Sequence, residues 1–118
     1  MTKHGHPHAV IYHNPKCGTS RTVLAILRES GVEPEIVDYI KTPLTRQALS
    51  DLAAKLGDAS ALVRGKEPLA AALGLQMADR DKIFSAIAAH PILLNRPIVV
   101  TAKGAKVCRP AELVRNLL

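Results

Sequence analysis

A short apolar run, a cysteine-containing turn and an amphipathic pattern follow one another at the start of this chain. Residues 9–12, Ala-Val-Ile-Tyr, predict a buried strand, and residues 22–28 have the apolar spacing of a helix. The Asn14-Pro15 pair between them is a turn signal. Cys17 is therefore predicted at a strand-to-helix turn, beside the first turn of the helix.

This position bears on what the cysteine can do. Free backbone N–H groups at the start of a helix would point at the sulfur and at any anion beside it. Gly18 allows a ligand to approach the backbone closely, and either Thr19 or Ser20 could cap the helix with its hydroxyl. The pattern favours a site in which Cys17 and an anion lie together.

A cysteine becomes a nucleophile only as the thiolate, so the pKa of Cys17 matters. A helix dipole contributes only ~0.3–1 kcal/mol, which is less than about one pKa unit. Other positive groups must contribute, and His13, Lys16 and Arg21 all lie within four residues of Cys17. The alternative is a buried structural cysteine at the end of a strand, because free cysteine is often buried.

The residues after Cys17 exclude two kinds of cysteine enzyme. Ser20 occupies the fourth position of Cys-Gly-Thr-Ser, so the resolving thiol of a dithiol oxidoreductase is absent there. Val23 stands where a cysteine–five residues–arginine phosphatase loop would need its arginine. Cys108 is the remaining candidate for an internal resolving thiol, and we expect it to be a bystander. These features predict an active site with one cysteine.

Length and composition favour one domain, residues 9–118, because 118 residues with 47% apolar content can bury one core. Two cysteines make no disulfide framework, and no secretory leader is evident, so we expect a cytoplasmic protein. No apolar run of about 20 residues is evident either, so we expect no association with a membrane. The net charge of +6 suits nucleic acid or a small anion, but 3% aromatic content argues against base stacking.

The first eight residues are polar and are expected to form a flexible tail. His4, His6 and His8 alternate within it and could hold copper, nickel or zinc. A solvated tail is the simpler interpretation because no fixed fourth ligand is evident. We therefore predict no metal site.

The element order predicts an α/β protein with a thioredoxin-like fold. A second strand at residues 35–40 follows the first strand and helix, and an inserted helical segment at about 42–90 comes next. Strands at 98–101 and 106–108 follow, and then a last helix at 111–118, for which Pro110 occupies a natural first helical position. The first two strands should be parallel and the last two antiparallel, which gives a mixed four-stranded sheet. Arg96-Pro97 is a candidate cis peptide bond.

Several separated motifs resemble the glutaredoxin-coupled arsenate reductase family, which includes the Spx-type regulators. The motifs are residues 11–21 (IYHNPKCGTSR), 31–34 (GVEP), 41–43 (KTP), 90–101 (HPILLNRPIVVT) and 108–110 (CRP). They recur in the family's order from about residue 9 to residue 118. This chain resembles a short-chain member, because family members often continue some way beyond the equivalent of Leu118.

The resemblance implies a role for each residue of the predicted site. The nucleophile would be Cys17, helped by His13; the oxyanion would be bound by Arg64, Arg96 and Arg109 with Gly18, Thr19 and Ser20; and Pro97 would be the cis-proline. Around Arg64 the match is less close than elsewhere. Guanidinium groups suit this task because they keep their charge and present planar forks of donors to an oxyanion.

The resemblance also implies a reaction and its partners. Cys17 would attack arsenate, glutathione would attack the resulting adduct, glutaredoxin would take the glutathione, and arsenite would leave. Glutathione is thus a co-substrate, and no bound cofactor is expected. Two alternatives remain: an Spx-like regulator that binds RNA polymerase, although those regulators commonly carry a Cys-x-x-Cys switch, or a general glutathione-dependent monothiol oxidoreductase, which would not need three arginines.

Overall fold

The computed structural model describes residues 9–118. The strands are β1 (Val10–His13), β2 (Glu35–Asp38), β3 (Ile98–Thr101) and β4 (Gly104–Val107), and the α-helices are α1 (Gly18–Glu29), α2 (Arg46–Leu56), α3 (Pro68–Ala72) and α4 (Arg80–Ala89). The predicted tail, with His4, His6 and His8, lies outside the described residues.

The four strands form one mixed sheet in the order β2-β1-β3-β4. β1 pairs in parallel with β2 and antiparallel with β3, and β3 pairs antiparallel with β4. The predicted mixed four-stranded sheet with a helical insertion between its second and third strands is thus confirmed. Because β1 is an inner strand, the turn that follows it is anchored by a neighbour on each side.

The described residues divide into two compact units, and the first consists of residues 9–38 together with Arg96–Leu118. Within it, α1 packs against a 3-10 segment at Ala111–Leu117. The helix contributes Val23, Ile26 and Leu27 to the core, as its apolar spacing predicts. Each such side chain stabilises the fold by roughly 1.5–3 kcal/mol when buried. This packing fixes the axis of α1, and with it the direction of its first turn.

The second unit, Tyr39–Asn95, contains the inserted helical segment. α2 packs against α4 and buries Leu49 and Leu52. Thr45 caps this helix by accepting a hydrogen bond from the N–H of Ala48 at 3.1 Å. Gly57 ends it with φ of +88°, a conformation that favours glycine.

Several predicted elements differ from the structure at their ends; β4, predicted at 106–108, spans Gly104–Val107. β2 stops at Asp38 rather than continuing to residue 40, where the chain turns. The C-terminal segment is a 3-10 helix that begins at Ala111, so the prediction of Pro110 as its first helical residue was wrong. The ψ of Pro110 is 164°, which is extended, and its carbonyl accepts the Leu113 N–H in an i to i+3 bond.

Between residues 9 and 118, none of the helices combines the length and the apolar character that crossing a membrane requires.

Candidate functional site

Cys17 lies at the turn that joins β1 to α1, as predicted. Its N–H donates to the carbonyl of Asn14 at 2.9 Å, and the Asn14 side-chain oxygen accepts the Lys16 N–H at 3.0 Å. The asparagine thus closes the turn through both its backbone and its side chain. Cys17 is the N-cap residue of α1 and is partly exposed, so its sulfur can be reached from solvent.

The helix start differs in one respect from the prediction. Thr19 or Ser20 was expected to cap α1 with a hydroxyl, but the helix already begins at Gly18, and its N-cap residue, Cys17, makes no side-chain capping hydrogen bond within the described structure. The tight turn at Asn14 starts the helix early, which places both hydroxyl residues inside the first turn. A Cβ added to Gly18 would lie 3.8 Å from Nη2 of Arg21, which is an ordinary contact, so packing does not require glycine there.

The surroundings of Cys17 lower the pKa of its thiol. Partial burial acts in the opposite direction and raises it, but the backbone N–H groups of Ser20 and Thr19 and the charges of Arg96 and Arg109 outweigh burial. Both N–H groups belong to the first turn of α1. A lowered pKa increases the thiolate fraction near neutral pH, which is what a nucleophilic cysteine needs.

Two arginines from distant parts of the sequence lie at this turn. Nη1 of Arg109 donates to Cys17 Sγ at 3.8 Å, across 92 residues of sequence, and also to the Arg96 carbonyl at 3.3 Å. Arg96 precedes Pro97, and the peptide bond between them, the candidate for a cis bond, is cis. The N–H of Cys108 donates to the Pro97 carbonyl at 2.9 Å, which holds the two arginine-bearing segments together.

The sequence neighbours of Cys17 have other partners. Nη1 of Arg21 donates to the carbonyl of Pro15 at 2.8 Å, and Lys16 is exposed. The buried ring of His13 has its Nδ1 3.0 Å from the hydroxyl of Ser20. The nearby positive charge therefore comes from Arg96 and Arg109 and not from Lys16 or Arg21, because closeness in sequence does not fix the direction of a side chain.

Arg64, the remaining arginine of the predicted site, belongs to the second unit. Its backbone N–H donates to the carbonyl of Leu93 at 2.7 Å, and Nη1 of its side chain lies 3.7 Å from the carboxylate of Glu67. Its Nε is buried and has no hydrogen-bond partner among residues 9–118. A buried donor without a partner is uncommon and costly, and a bound anion would satisfy it.

Cys108 is placed very differently from Cys17. It is fully buried in the apolar core of the first unit, and burial raises the pKa of its thiol to about 11, although the charge of Lys106 acts in the opposite direction. Such a thiol is protonated at neutral pH and shielded from solvent. This agrees with the expectation of a bystander.

Sequence reasoning missed two features, one at the Asn14 turn and one at Arg109. Asn14 was interpreted only as part of a turn signal, although its backbone also donates to the Ser20 hydroxyl at 3.1 Å. The asparagine two residues before Lys16 is the usual signature of such a side-chain-closed turn and could have been recognised. The Arg109–Pro110 peptide bond is also cis, and no local signal marked it.

The mixed sheet, the inserted helices and a cysteine at the end of β1 define a thioredoxin-like protein with a one-cysteine site. The ArsC family model matches residues 12–117, and the chain belongs to the ArsC family. It is 46% identical over 112 residues to the arsenate reductase of Escherichia coli K12, covering 92% of this chain and 79% of that protein. It is 43% identical over 111 residues to that of Rhizobium meliloti, with the same coverage of each.

Solved structures show the same likeness. An arsenate reductase from Vibrio cholerae superimposes with a TM-score of 0.88 at 40% identity, over 95% of this chain and 98% of that one. A putative arsenate reductase from Yersinia pestis gives 0.84 at 39% identity, over 92% and 98%. These findings confirm the family resemblance and the thioredoxin-like fold.

Proposed function

We propose that this protein is an arsenate reductase in which Cys17 is the nucleophile. The observation that carries the proposal is the Arg109 guanidinium 3.8 Å from Cys17 Sγ, beside backbone N–H groups that lower the thiol pKa. A thiolate alone would repel a tetrahedral anion. Fixed positive charge and oriented N–H groups offset that repulsion and would hold the anion for attack. The arsenate reductases at 43–46% identity support the same substrate.

The roles of the side chains follow from this arrangement. Arg96 and Arg109, with the N–H groups of Gly18, Thr19 and Ser20, would bind the oxyanion. An oxyanion-binding role for Arg64 is also proposed, because its buried Nε lacks a partner in the described chain and an anion oxygen would supply one. The three guanidinium groups keep their positive charge across the working pH range.

The proposed chemistry balances as a two-electron reduction. The Cys17 thiolate forms a bond to arsenic, and one arsenate oxygen leaves as water after taking up protons. A glutathione thiol then forms a bond to the same arsenic, and a second arsenate oxygen leaves as water. A glutaredoxin thiolate attacks the glutathione sulfur; the bond between that sulfur and arsenic breaks with its electron pair left on arsenic, so As(V) becomes As(III) and a glutathione–glutaredoxin mixed disulfide forms. Water then cleaves the remaining Cys17–As(III) bond, which releases arsenite and returns Cys17 to the thiolate. No metal or bound cofactor enters this scheme.

An external thiol is needed because the chain offers no accessible second cysteine. Position 20 is serine, and the Cys108 thiol is fully buried with a pKa of about 11. Glutathione and glutaredoxin are therefore the proposed partners, and the cytoplasm, where thiols stay reduced, is the proposed location. We also propose that residues 9–118 act as one domain, since the family model extends over both compact units.

A coupled assay with glutathione, glutaredoxin, glutathione reductase and NADPH tests the proposal. We expect arsenate-dependent NADPH oxidation that Cys17→Ser abolishes and Arg96→Ala weakens. Arg115→Ala removes an exposed arginine of the C-terminal segment and serves as the charge-matched control. No arsenate-dependent turnover, or full activity of the serine variant, would refute the proposal. Turnover of glutathione mixed disulfides without any effect of arsenate would instead identify a general monothiol reductase.

A further inference from the structure

We propose that Arg21 binds a carboxylate of the thiol co-substrate, and that the groove beside it on α1 receives a small peptide thiol such as glutathione. The inference rests on the proposed use of an external thiol at Cys17, and it adds where that thiol binds and which side chain selects it. Arg21 is close to Cys17 along the chain but is not among the groups that lower the pKa of its thiol. Its guanidinium therefore has a different task.

The groove lies on the surface of the first unit, next to the nucleophile. Residues of α1 from Gly18 to Ala25 form one wall, and Pro110 and Ala111 form the other. Because α1 packs against the segment that begins at Ala111, the core of the same unit fixes both walls. The groove is open to solvent and has a volume of about 650 Å³. This volume suits a small organic molecule, since such sites typically measure about 300–1,000 Å³.

The position of Arg21 in the groove matches the size of a tripeptide thiol. Arg21 lies four residues after Cys17, which is about 6 Å along a helix axis. The thiol of glutathione is on the central residue of the tripeptide, and each extended residue spans about 3.5 Å. A tripeptide whose sulfur reaches an arsenic atom on Cys17 can therefore place the carboxylate of a neighbouring residue at Arg21.

The guanidinium of Arg21 has donors to offer such a carboxylate. Among residues 9–118 it makes one hydrogen bond, from Nη1 to the Pro15 carbonyl at 2.8 Å, whereas a guanidinium carries five N–H donors. A Cβ added to Gly18 would lie 3.8 Å from Nη2, so the guanidinium lies beside the residue that follows the nucleophile. The bond to Pro15 restrains the side chain, which reduces the entropy lost when a ligand binds.

The charge of the groove favours an anionic ligand. Arg21 is the one charged residue among the described residues that line it, and the others are small or hydroxyl-bearing residues and a proline. A carboxylate can accept two parallel N–H bonds from a guanidinium. Arg28, further along the same helix, is by contrast already paired with Glu33 at 3.1 Å. The lining therefore suits a thiol that carries carboxylates better than a neutral or cationic thiol.

A mixed disulfide between Cys17 and thiopyridine tests this assignment without arsenate. Because Cys108 is fully buried, dithiodipyridine should modify Cys17 alone in the native protein. A glutathione thiolate then attacks the Cys17 sulfur and displaces thiopyridone, which is the better leaving group and whose absorbance reports the rate. We expect the rate at low glutathione concentration to be roughly five- to ten-fold lower in Arg21→Ala than in the wild type. Equal rates in the two proteins would overturn the proposal.

Two other thiols distinguish a carboxylate contact from a general effect on the turn. Cysteamine has no carboxylate, and both carboxylates of glutathione diethyl ester are blocked. Neither thiol can use the guanidinium, so their rates should not fall in Arg21→Ala. Loss of the Arg21–Pro15 bond could instead loosen the turn that carries Cys17. That effect would lower the rates of all three thiols equally, and this outcome would contradict the assignment.

Three further variants complete the test. Arg28→Ala is the matched control, because it removes an exposed arginine of α1 that does not line the groove, and it should react with glutathione as the wild type does. Arg21→Lys keeps the charge and should recover part of the rate. Thr22→Glu leaves Arg21 in place but adds negative charge to the groove wall. It should slow glutathione more than the diethyl ester, and it decides the matter if Arg21→Ala fails to fold.

The coupled assay with arsenate gives an independent readout. Arg21→Ala should raise the KM for glutathione and leave the KM for arsenate unchanged. A loss confined to the glutaredoxin-dependent step would show that Arg21 contacts the partner protein instead, and would overturn the assignment. The disulfide exchange requires no arsenate. A protein that shows the expected pattern of thiol rates but does not reduce arsenate would therefore refute the proposed function and leave the glutathione groove intact.

Discussion

Replacing Arg109 by alanine should make Cys17 less reactive near neutral pH. The guanidinium donates to the sulfur at 3.8 Å and is one of the groups that hold the pKa of the thiol below its usual value. Without it, the pKa of Cys17 should rise. At a pH below both values the variant then carries less thiolate than the wild type, whereas above both values the two proteins carry equal amounts. The difference should therefore be greatest at low pH.

The size of the effect follows from the separation of the two groups. Unit charges 3.8 Å apart attract by about 1 kcal/mol in water and by about 4 kcal/mol at an effective dielectric constant of 20. Arg109 is exposed and Cys17 is partly exposed, so the lower end of this range applies. A loss of about 1–2 kcal/mol corresponds to roughly a five- to thirty-fold smaller ratio of thiolate to thiol.

The assay is the rate of iodoacetamide alkylation of Cys17 as a function of pH, measured by intact mass. Arg109→Lys should fall between the wild type and Arg109→Ala, because lysine keeps the charge but not the planar fork. Arg115→Ala changes the net charge equally and should leave the profile unchanged. Coincident profiles for Arg109→Ala and the wild type, or an equal loss in Arg115→Ala, would show that the arginine does not stabilise the thiolate.

Two further predictions concern Cys108 and Thr45. The Cys108 thiol is fully buried and its pKa is about 11, so native protein at pH 8 should take up one alkyl group. Denatured protein should take up two alkyl groups, and native Cys17→Ser should take up none. An alkyl label on Cys108 of the native protein would contradict its burial. Thr45→Ala removes the acceptor of the Ala48 N–H and should lower the free energy of unfolding by about 1 kcal/mol in urea titrations. Thr42→Ala, outside the helix, is the control, and equal losses in the two variants would exclude a specific cap.

Local patterns in the sequence were sufficient to predict the strand, the turn and the helix that carry Cys17. The apolar run before Asn14-Pro15 and the periodic residues after Gly18 predicted β1, the turn and α1, because neighbouring residues encode both the hydrogen-bonding turn and the buried stripe. Gly57 ends α2 with a φ of +88°, which glycine adopts without strain, so the residue type is itself a local signal of the helix end. Less was predictable at the C-terminus, where tight i to i+3 bonding replaced the expected helix.

The family resemblance, rather than local pattern, nominated Arg96 and Arg109 for the site. Nothing near either residue in sequence shows that it belongs with Cys17. Lys16 and Arg21 were considered because they are close to Cys17 along the chain. In the structure, Lys16 is exposed on the turn, and the Arg21 guanidinium donates to a backbone carbonyl. The environment of a thiol depends on which charges the folded chain brings within a few ångströms, and sequence separation does not measure that.

The sequence by itself determined that a single cysteine would stand at the start of a helix with no resolving thiol at the fourth position, because turn chemistry and helical period are local properties. Only the tertiary structure decided which groups surround that cysteine. The pairing of β1 with β3 and the Pro97–Cys108 hydrogen bond bring Arg109 across 92 residues to the sulfur of Cys17. Burial shields the Cys108 thiol from solvent, whereas Cys17 stays partly exposed. Charge proximity and desolvation arise from folding in three dimensions, so they set the reactivity of Cys17 only once the chain has folded.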